Sequence, residues 1–315
     1  MILQDSRSDY DQLVRDLMEY KALRKDNEIN NQLLKELVMK YSAAEQKLSL
    51  LNRELVRKQE LLEEDLEAAA GIQQALLPKM PTSAEKLDIA WRFEPCEHVG
   101  GDIFNVFWLD DHRHLGCYVL DVSGHGVPAA MVTVSVSQMF QGENGGLTRR
   151  KQEEPPFYRL ASPAEVLSML DDAYPIERFD KYFTMTYLII DTKDLRLQYS
   201  NAAHPPPLLL RKGIAPEPLK RGGTIVGMGG VIPFEDGQKT LAPGDKLILH
   251  TDGITEYQNR EGTLFGDDRF HELLEQMKDR PVAELVKGVY EEFMSFGDGQ
   301  KIQDDVTLLG FEFLL

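Results

Sequence analysis

The 315 residues predict an α+β chain in which a long helical coiled coil precedes a domain of antiparallel sheets covered by helices. Three observations carry that expectation. Apolar residues recur every seven positions along the first 77 residues, and past Pro78 and Pro81 the period drops to two. The later strands are joined mostly by hairpins, while the helices come in pairs.

The seven-residue period runs through Leu34, Tyr41, Leu48, Leu55, Leu62, Ala69 and Leu76. A second set follows three residues later at Leu37, Ala44, Leu51 and Ile72, with Lys58 and Asp65 as polar exceptions. This is an a/d seam, and neither proline nor glycine interrupts residues 1–70. It extends weakly backward through Leu13, Tyr20 and Leu23, past Asn27 and Asn30, whose amides suit a role in fixing register. A helix of about 60 residues measures roughly 90 Å at 1.5 Å per residue, too long to lie on one small domain. The expectation is a parallel homodimeric coiled coil through residues 30–77. Residues 1–77 then form a dimerisation and regulatory linker, and residues 78–315 a second domain.

In that domain, Asp88–Phe93, Ile103–Leu109 and His114–Leu120 read as strands, and a helix runs from Val127 to Phe140. Residues 141–157, rich in Gly, Asn, charges and paired prolines, read as an exposed loop. Ser162-Pro163-Ala164-Glu165 is a capping box with proline at the first position, and it starts a helix that reaches Tyr174. Phe183–Ile190 and Leu195–Ser200 flank a polar turn and form a hairpin. Short strands follow at Leu208–Arg211, Gly222–Gly227, Gln238–Leu241 and Lys246–His250. Helices at Asp267–Met277 and Val282–Phe296 and a strand at Val306–Phe313 complete the pattern.

Composition limits the partners. A net charge of -17 disfavours nucleic acid and anionic membranes, which would repel it. No apolar run approaches the roughly 20 residues of a membrane span. Two cysteines without metal-type spacing suggest reduced thiols and a cytoplasmic location.

Carboxylates stand at the ends of the expected strands. Asp102 follows two glycines, Asp121 closes a strand before Ser123-Gly124-His125-Gly126, Asp252 precedes Gly253, and Asp304-Asp305 precede the last strand. Rigid strand ends are where a scaffold presents ligands. Several carboxylates brought together would repel one another unless hard cations such as Mg²⁺ or Mn²⁺ neutralised them.

These motifs carry a family resemblance. Gly100-Gly101-Asp102, Asp121-Val122-Ser123-Gly124-His125-Gly126, Asn201-Ala202-Ala203-His204-Pro205, Thr251-Asp252-Gly253-Ile254-Thr255-Glu256 and Asp304-Asp305-Val306-Thr307 occur in one order. That order resembles the SpoIIE/RsbU-type serine phosphatases of the PPM group. The lead-in Ile72-Gln73-Gln74-Ala75-Leu76-Leu77-Pro78 is similar to their linker junction, so the resemblance spans residues 70–315. A lone Gly-Gly-Asp would equally suit a nucleotide cyclase; five motifs in order are specific.

The resemblance implies two face-to-face antiparallel sheets with helices outside, and two Mn²⁺ or Mg²⁺ ions at one end. It implies that Asp121 bridges both ions and that Val122 contributes its backbone carbonyl. It assigns Asp102 to the second ion, and Asp252 with Asp304 to the first, with Asp305 as the alternative or supporting acid. The implied reaction is hydrolysis of phosphoserine or phosphothreonine by a metal-activated water. No enzyme nucleophile is required, in keeping with the lack of an arginine six residues beyond Cys96 or Cys117. Eukaryotic members carry a histidine two residues past the bridging aspartate where this chain has Ser123, so His125 and His204 read as turn and loop residues. The implied substrate is a phosphorylated regulatory protein of the anti-sigma-factor antagonist type. An upstream sensor or receiver domain, or a separate partner, would act through the coiled coil on the helices near 127–140 and 162–174. The rival readings are a silent pseudo-phosphatase scaffold, which an incomplete acidic set would favour, and a nucleotide-processing metalloenzyme, which would need a Gly-x4-Gly-Lys loop that this sequence lacks.

Overall fold

Alternation along the strands sorts the side chains into layers. In β3 (His114–Val122), Leu115, Cys117 and Val119 face one core, while Tyr118, Leu120 and Val122 face another. A two-residue period places such sets on opposite faces of a sheet. The computed structural model describes residues 11–16, 27–77, 86–110, 112–141 and 143–314. By internal contacts the chain divides into two units, Met1–Leu66 and Glu67–Leu315.

The first unit is helical. It holds α1 (residues 11–16) and most of α2 (Asn27–Leu76), a helix that continues into the second unit. Leu34, Tyr41, Leu48, Leu55 and Leu62 form an exposed apolar line along α2, and Leu37 and Leu51 are half-buried. Tyr20 and Leu23 of the seam, and the expected breakers Pro78 and Pro81, lie outside the described residues. The composition break at residue 77 is not where the contacts divide. The last turns of α2 group with the sheets because Leu76 and Leu77 pack against the core that contains Tyr118. Among the described residues no helix is long and apolar enough to cross a membrane.

The second unit stacks helices, sheet, sheet and helices. One sheet has the order β1 (Leu87–Glu94), β13 (Val306–Phe313), β12 (Lys246–His250), β8 (Leu208–Arg211), β9 (Ile214–Pro218), all antiparallel. The other runs β10 (Gly222–Gly223), β7 (Arg196–Ala202), β6 (Phe183–Asp191), β3, β2 (Asp102–Trp108), with β11 (Gly237–Thr240) also on β7. Its pairs are antiparallel except β10 with β7. Between the sheets lie Phe104, Val119, Leu188, Leu247, Leu309 and Phe311. The outer face of the second sheet packs on α3 (Val127–Gln141) and α4 (Pro163–Ala173) through Leu120, Tyr187, Val136 and Leu170. The outer face of the first packs on α7 (Asp267–Met277) and α8 (Val282–Gly297) through Ile248, Leu308, Leu274 and Val289. This is the architecture implied by the family resemblance.

Local chemistry explains the element ends. Ser162 and Glu165 make the reciprocal capping box at the start of α4. In the β6–β7 turn, Asp191 Oδ1 accepts the N–H groups of Lys193 and Asp194, each at 3.0 Å. Three expectations change. The stretch expected as an exposed loop over 141–157 holds instead a 3-10 helix (Glu143–Thr148) and β4 (Arg149–Lys151), which forms a hairpin with β5 (Tyr158–Leu160). Leu147 and Thr148 are buried there, and burial overrides the polar composition. The strand expected over 222–227 shrinks to Gly222–Gly223, because Val226 and Gly227 turn toward Phe183 and Ile176. Short helices also form at α5 (Ile176–Phe179) and α6 (Asp252–Thr255), and β9 forms despite its two prolines, as edge strands allow.

Candidate metal centre

Four strand ends bring the acidic residues to one end of the sandwich. Asp102 opens β2 and sits directly opposite Asp121 near the end of β3. Asp252 opens α6 immediately after β12, and Asp304 and Asp305 precede β13, which pairs with β12. Bonds between the sheets close the cluster. Thr251 Oγ1 and Thr307 Oγ1, both from the first sheet's side, each donate to Asp102 Oδ2 at 2.7 Å.

The two neighbouring acids near 305 differ in their surroundings. Asp305 is 2% exposed, and its carboxylate is taken up by backbone: Oδ1 accepts Cys96 N–H at 2.8 Å, and Oδ2 accepts Gly101 N–H at 2.6 Å and Asp102 N–H at 3.3 Å. Asp304 is exposed, and its Oδ1 accepts the Asp305 N–H at 2.8 Å. Asp305 therefore ties the Gly-Gly-Asp loop to the other sheet, and Asp304 keeps an oxygen open. A ligand atom from each of Cys96, Asp304 and Asp305 lies within 4.8 Å of the others.

Two glycines are required by close approach. A Cβ at Gly253 would stand 2.0 Å from the Asp305 carbonyl oxygen. At Gly101 it would meet the Val122 carbonyl oxygen at 2.9 Å, so the loop lies directly against the carbonyl expected to serve a metal. Val122 itself is buried, and its N–H donates to the Gly101 carbonyl at 3.1 Å.

Crowding raises the acids' pKa values. Asp121 is pushed up to about 7, first by burial and then by the charges of Asp252, Asp304, Asp305 and Glu256. Asp252 reaches about 6, through burial and then Asp304 and Glu256. Asp102 stands well above the usual carboxylate range because of burial, Asp121 and Asp305, against the pull of the two threonine hydroxyls. Cys96 is raised to about 12 by burial and then by Asp305, so its thiol is protonated rather than nucleophilic at neutral pH. Carboxylates whose pKa values are raised by burial and by one another's charges are what divalent cations would hold in the ionised form. The donor set, all carboxylate oxygens with one backbone carbonyl close by, suits Mg²⁺ or Mn²⁺.

The histidines sit at the edge of this chemistry: His204 is buried in a loop, and His125 only offsets part of the upward shift that burial gives Asp304. His204 is buried, with Nδ1 and Thr184 Oγ1 2.8 Å apart, and its N–H and carbonyl both bond the Asn201 side chain. Burial lowers it to about 3, and it locks the loop. His125 is exposed and lies 3.3 Å from Glu97 at the rim. Three residues near the centre escaped sequence reasoning. Glu256 adds negative charge, Lys181 donates to the Ser123 carbonyl at 2.7 Å, and Gln73 bonds Gly100. Glu256 and Gln73 carried a signal only as members of the Thr251–Glu256 motif and of the Ile72–Pro78 lead-in.

Known proteins resemble the chain as follows. The family model for Stage II sporulation protein E (SpoIIE) matches residues 111–314. Phosphoserine phosphatase RsbP of Bacillus subtilis is 27% identical over 247 residues, covering 76% of this chain and 56% of that protein. Phosphoserine phosphatase RsbU of the same organism is 25% identical over 256 residues, covering 80% of this chain and 70% of that one. The chain thus spans little more than half of RsbP. The SiaA-PP2C domain of Pseudomonas aeruginosa superposes with a TM-score of 0.65 at 24% identity, covering 81% of this chain and 98% of that domain. That likeness speaks to the fold.

Proposed function

The chain belongs to the SpoIIE family, and from that premise we propose that it is a metal-dependent protein phosphatase acting on phosphoserine or phosphothreonine. The observation that carries the reading is the convergence of Asp102, Asp121 and Asp252 from two sheets, with pKa values lifted by burial and then by one another's charges. Asp121 would bridge two ions, with the Val122 carbonyl beside it, Asp102 on one ion, and Asp252 with Asp304 on the other. When bound, Mn²⁺ or Mg²⁺ would supply Lewis-acid activation of water and neutralise charge on the phosphoryl oxygens.

The chain's own residues do the positioning. Thr251 and Thr307 hold one oxygen of Asp102 and leave the other to a cation. Asp305 spends its carboxylate on the Cys96–Asp102 backbone, which supports Asp304 as the ligand and Asp305 as its support. The test is phosphate release from p-nitrophenyl phosphate and from a phosphoserine peptide, with Mn²⁺ and with EDTA. Turnover only with metal is expected. Metal binding without turnover on either substrate would point to a signalling scaffold instead.

The substrate we propose is a phosphorylated anti-sigma-factor antagonist, and the regulator an upstream sensor, receiver or separate partner acting through a coiled-coil homodimer of residues 30–77. The exposed line Leu34, Tyr41, Leu48, Leu55, Leu62 supports the dimer, since a solitary helix would leave it in water. Light scattering should give twice the 35.8 kDa chain mass. Leu48→Asp with Leu55→Asp should give the single-chain mass, and a monomeric parent chain would refute the dimer.

A further inference from the structure

The last turn of α2 carries a side chain to which the proposed chemistry assigns no task. Gln73 is 4% exposed although it is polar, and its neighbours Ile72 and Gln74 face solvent. Its Oε1 accepts the N–H of Gly100 at 3.0 Å, while its Nε2 donates to the Gly100 carbonyl at 2.8 Å. Nε2 also donates to Thr133 Oγ1 at 3.2 Å, and that hydroxyl donates in turn to the Ala130 carbonyl at 2.7 Å. One amide thus satisfies both backbone groups of Gly100, as a neighbouring strand would, and joins them to α3.

Gly100 has no freedom on its other side. A Cβ there would stand 2.6 Å from Asp305 Oδ2, the oxygen that accepts the N–H groups of Gly101 and Asp102. The Gly100–Asp102 loop is therefore gripped between the Asp305 carboxylate and the Gln73 amide. Asp102 lies two residues beyond the grip, and α3, which carries Thr133, follows the Asp121–Gly126 turn. Gln73 thus ties the Gly100–Asp102 loop, and the helix that follows the Asp121–Gly126 turn, to α2.

We propose that Gln73 is a positioning residue for the metal centre: its amide sets the Gly100–Asp102 loop against α3 and so fixes Asp102 opposite Asp121. The role rests on the metal-dependent reading of the site. Without the amide, two buried backbone groups would lack partners, and the loop would move to find others. Residues that orient metal ligands in this indirect way typically govern affinity by roughly 10–100-fold.

Gln73→Met keeps the length and volume of the side chain and removes all three bonds. Calorimetric titration of the metal-free protein with Mn²⁺ should show affinity weakened by about 10–100-fold. The Mn²⁺ concentration for half-maximal phosphate release should rise by the same factor, and turnover at saturating Mn²⁺ should recover. A purely structural glutamine would lower the melting temperature and leave the affinity of the folded protein alone. Gln73→Met that folds by circular dichroism and binds Mn²⁺ within twofold of the parent overturns the role. Should it not fold, Gln73→Glu, which keeps the acceptor and loses the donor, decides by the same criterion. A parent protein that takes up no Mn²⁺ would sink the phosphatase reading itself, a different failure from unchanged uptake in the variant.

Discussion

Asp252→Asn is expected to lose Mn²⁺-dependent phosphate release by more than the roughly 10–100-fold typical of residues that merely support a ligand, while its metal-free form becomes more heat-stable than the parent at pH 7.5. The two effects share one cause. Asp252 is the largest charge acting on Asp121, whose pKa burial and that charge push to about 7. Removing it relieves repulsion in the empty cluster and removes a proposed ligand from the filled one. Melting temperature in EDTA, set beside phosphate release in Mn²⁺, reads both. Loss of activity together with loss of metal-free stability would mean that Asp252 is a structural residue and not a ligand. Such opposition between stability and activity is expected where a site keeps like charges together for function.

The second large effect is the pH dependence of the metal-free protein. Asp121 at about 7 and Asp252 at about 6 lie above the ordinary value of 3.8, so between about pH 4 and pH 7 the folded chain binds more protons than the unfolded one. Stability then falls as pH rises through that window; the contribution is full below it and gone above the folded values. Glu165, which Arg159 holds down to about 2, works in the opposite sense but loses its contribution only at more acid pH. In EDTA the melting temperature should drop by at least about 5 °C from pH 5 to pH 8. In saturating Mn²⁺ the drop should vanish or reverse, because the ions bind the ionised carboxylates and displace their protons. A flat profile in EDTA would show that the acids do not share one low-dielectric site.

Much of this was legible in the sequence because period and turn chemistry are local. The alternation in Leu115–Val122, the capping box at Ser162 and the polar hairpin at Asp191–Asp194 each declare themselves within ten residues. The acids were legible too, as carboxylates at the ends of expected strands, most of them with glycine close by. What stayed hidden depends on distant partners. The 141–157 segment reads as a loop until Leu147 finds its core, and β9, with its two prolines, is not expected from the sequence and forms at an edge. The difference between Asp304 and Asp305 is invisible in a string of two identical letters; it appears only when Gly101 and Cys96 arrive from across the sandwich. Gln73 is the extreme case. A glutamine on a polar helix has no local reason to be buried, and its partners lie 27 and 60 residues away.

Strand order also sets when the protein becomes competent during synthesis. Among the described residues β13 is made after the other strands, yet it lies between β1 and β12, pairing Leu87 with Phe313 and Lys246 with Glu312. Until it emerges from the ribosome, β1 has no neighbour and the first sheet stays open. Closing a loop that long makes folding slow and leaves apolar edges waiting. Asp304 and Asp305 arrive on the same stretch of chain, so a nascent molecule holds three corners of its acidic cluster and lacks the fourth. Both acids thus join the cluster only after β1 to β12 have been made, and a chain cut short before residue 304 is left without either acid.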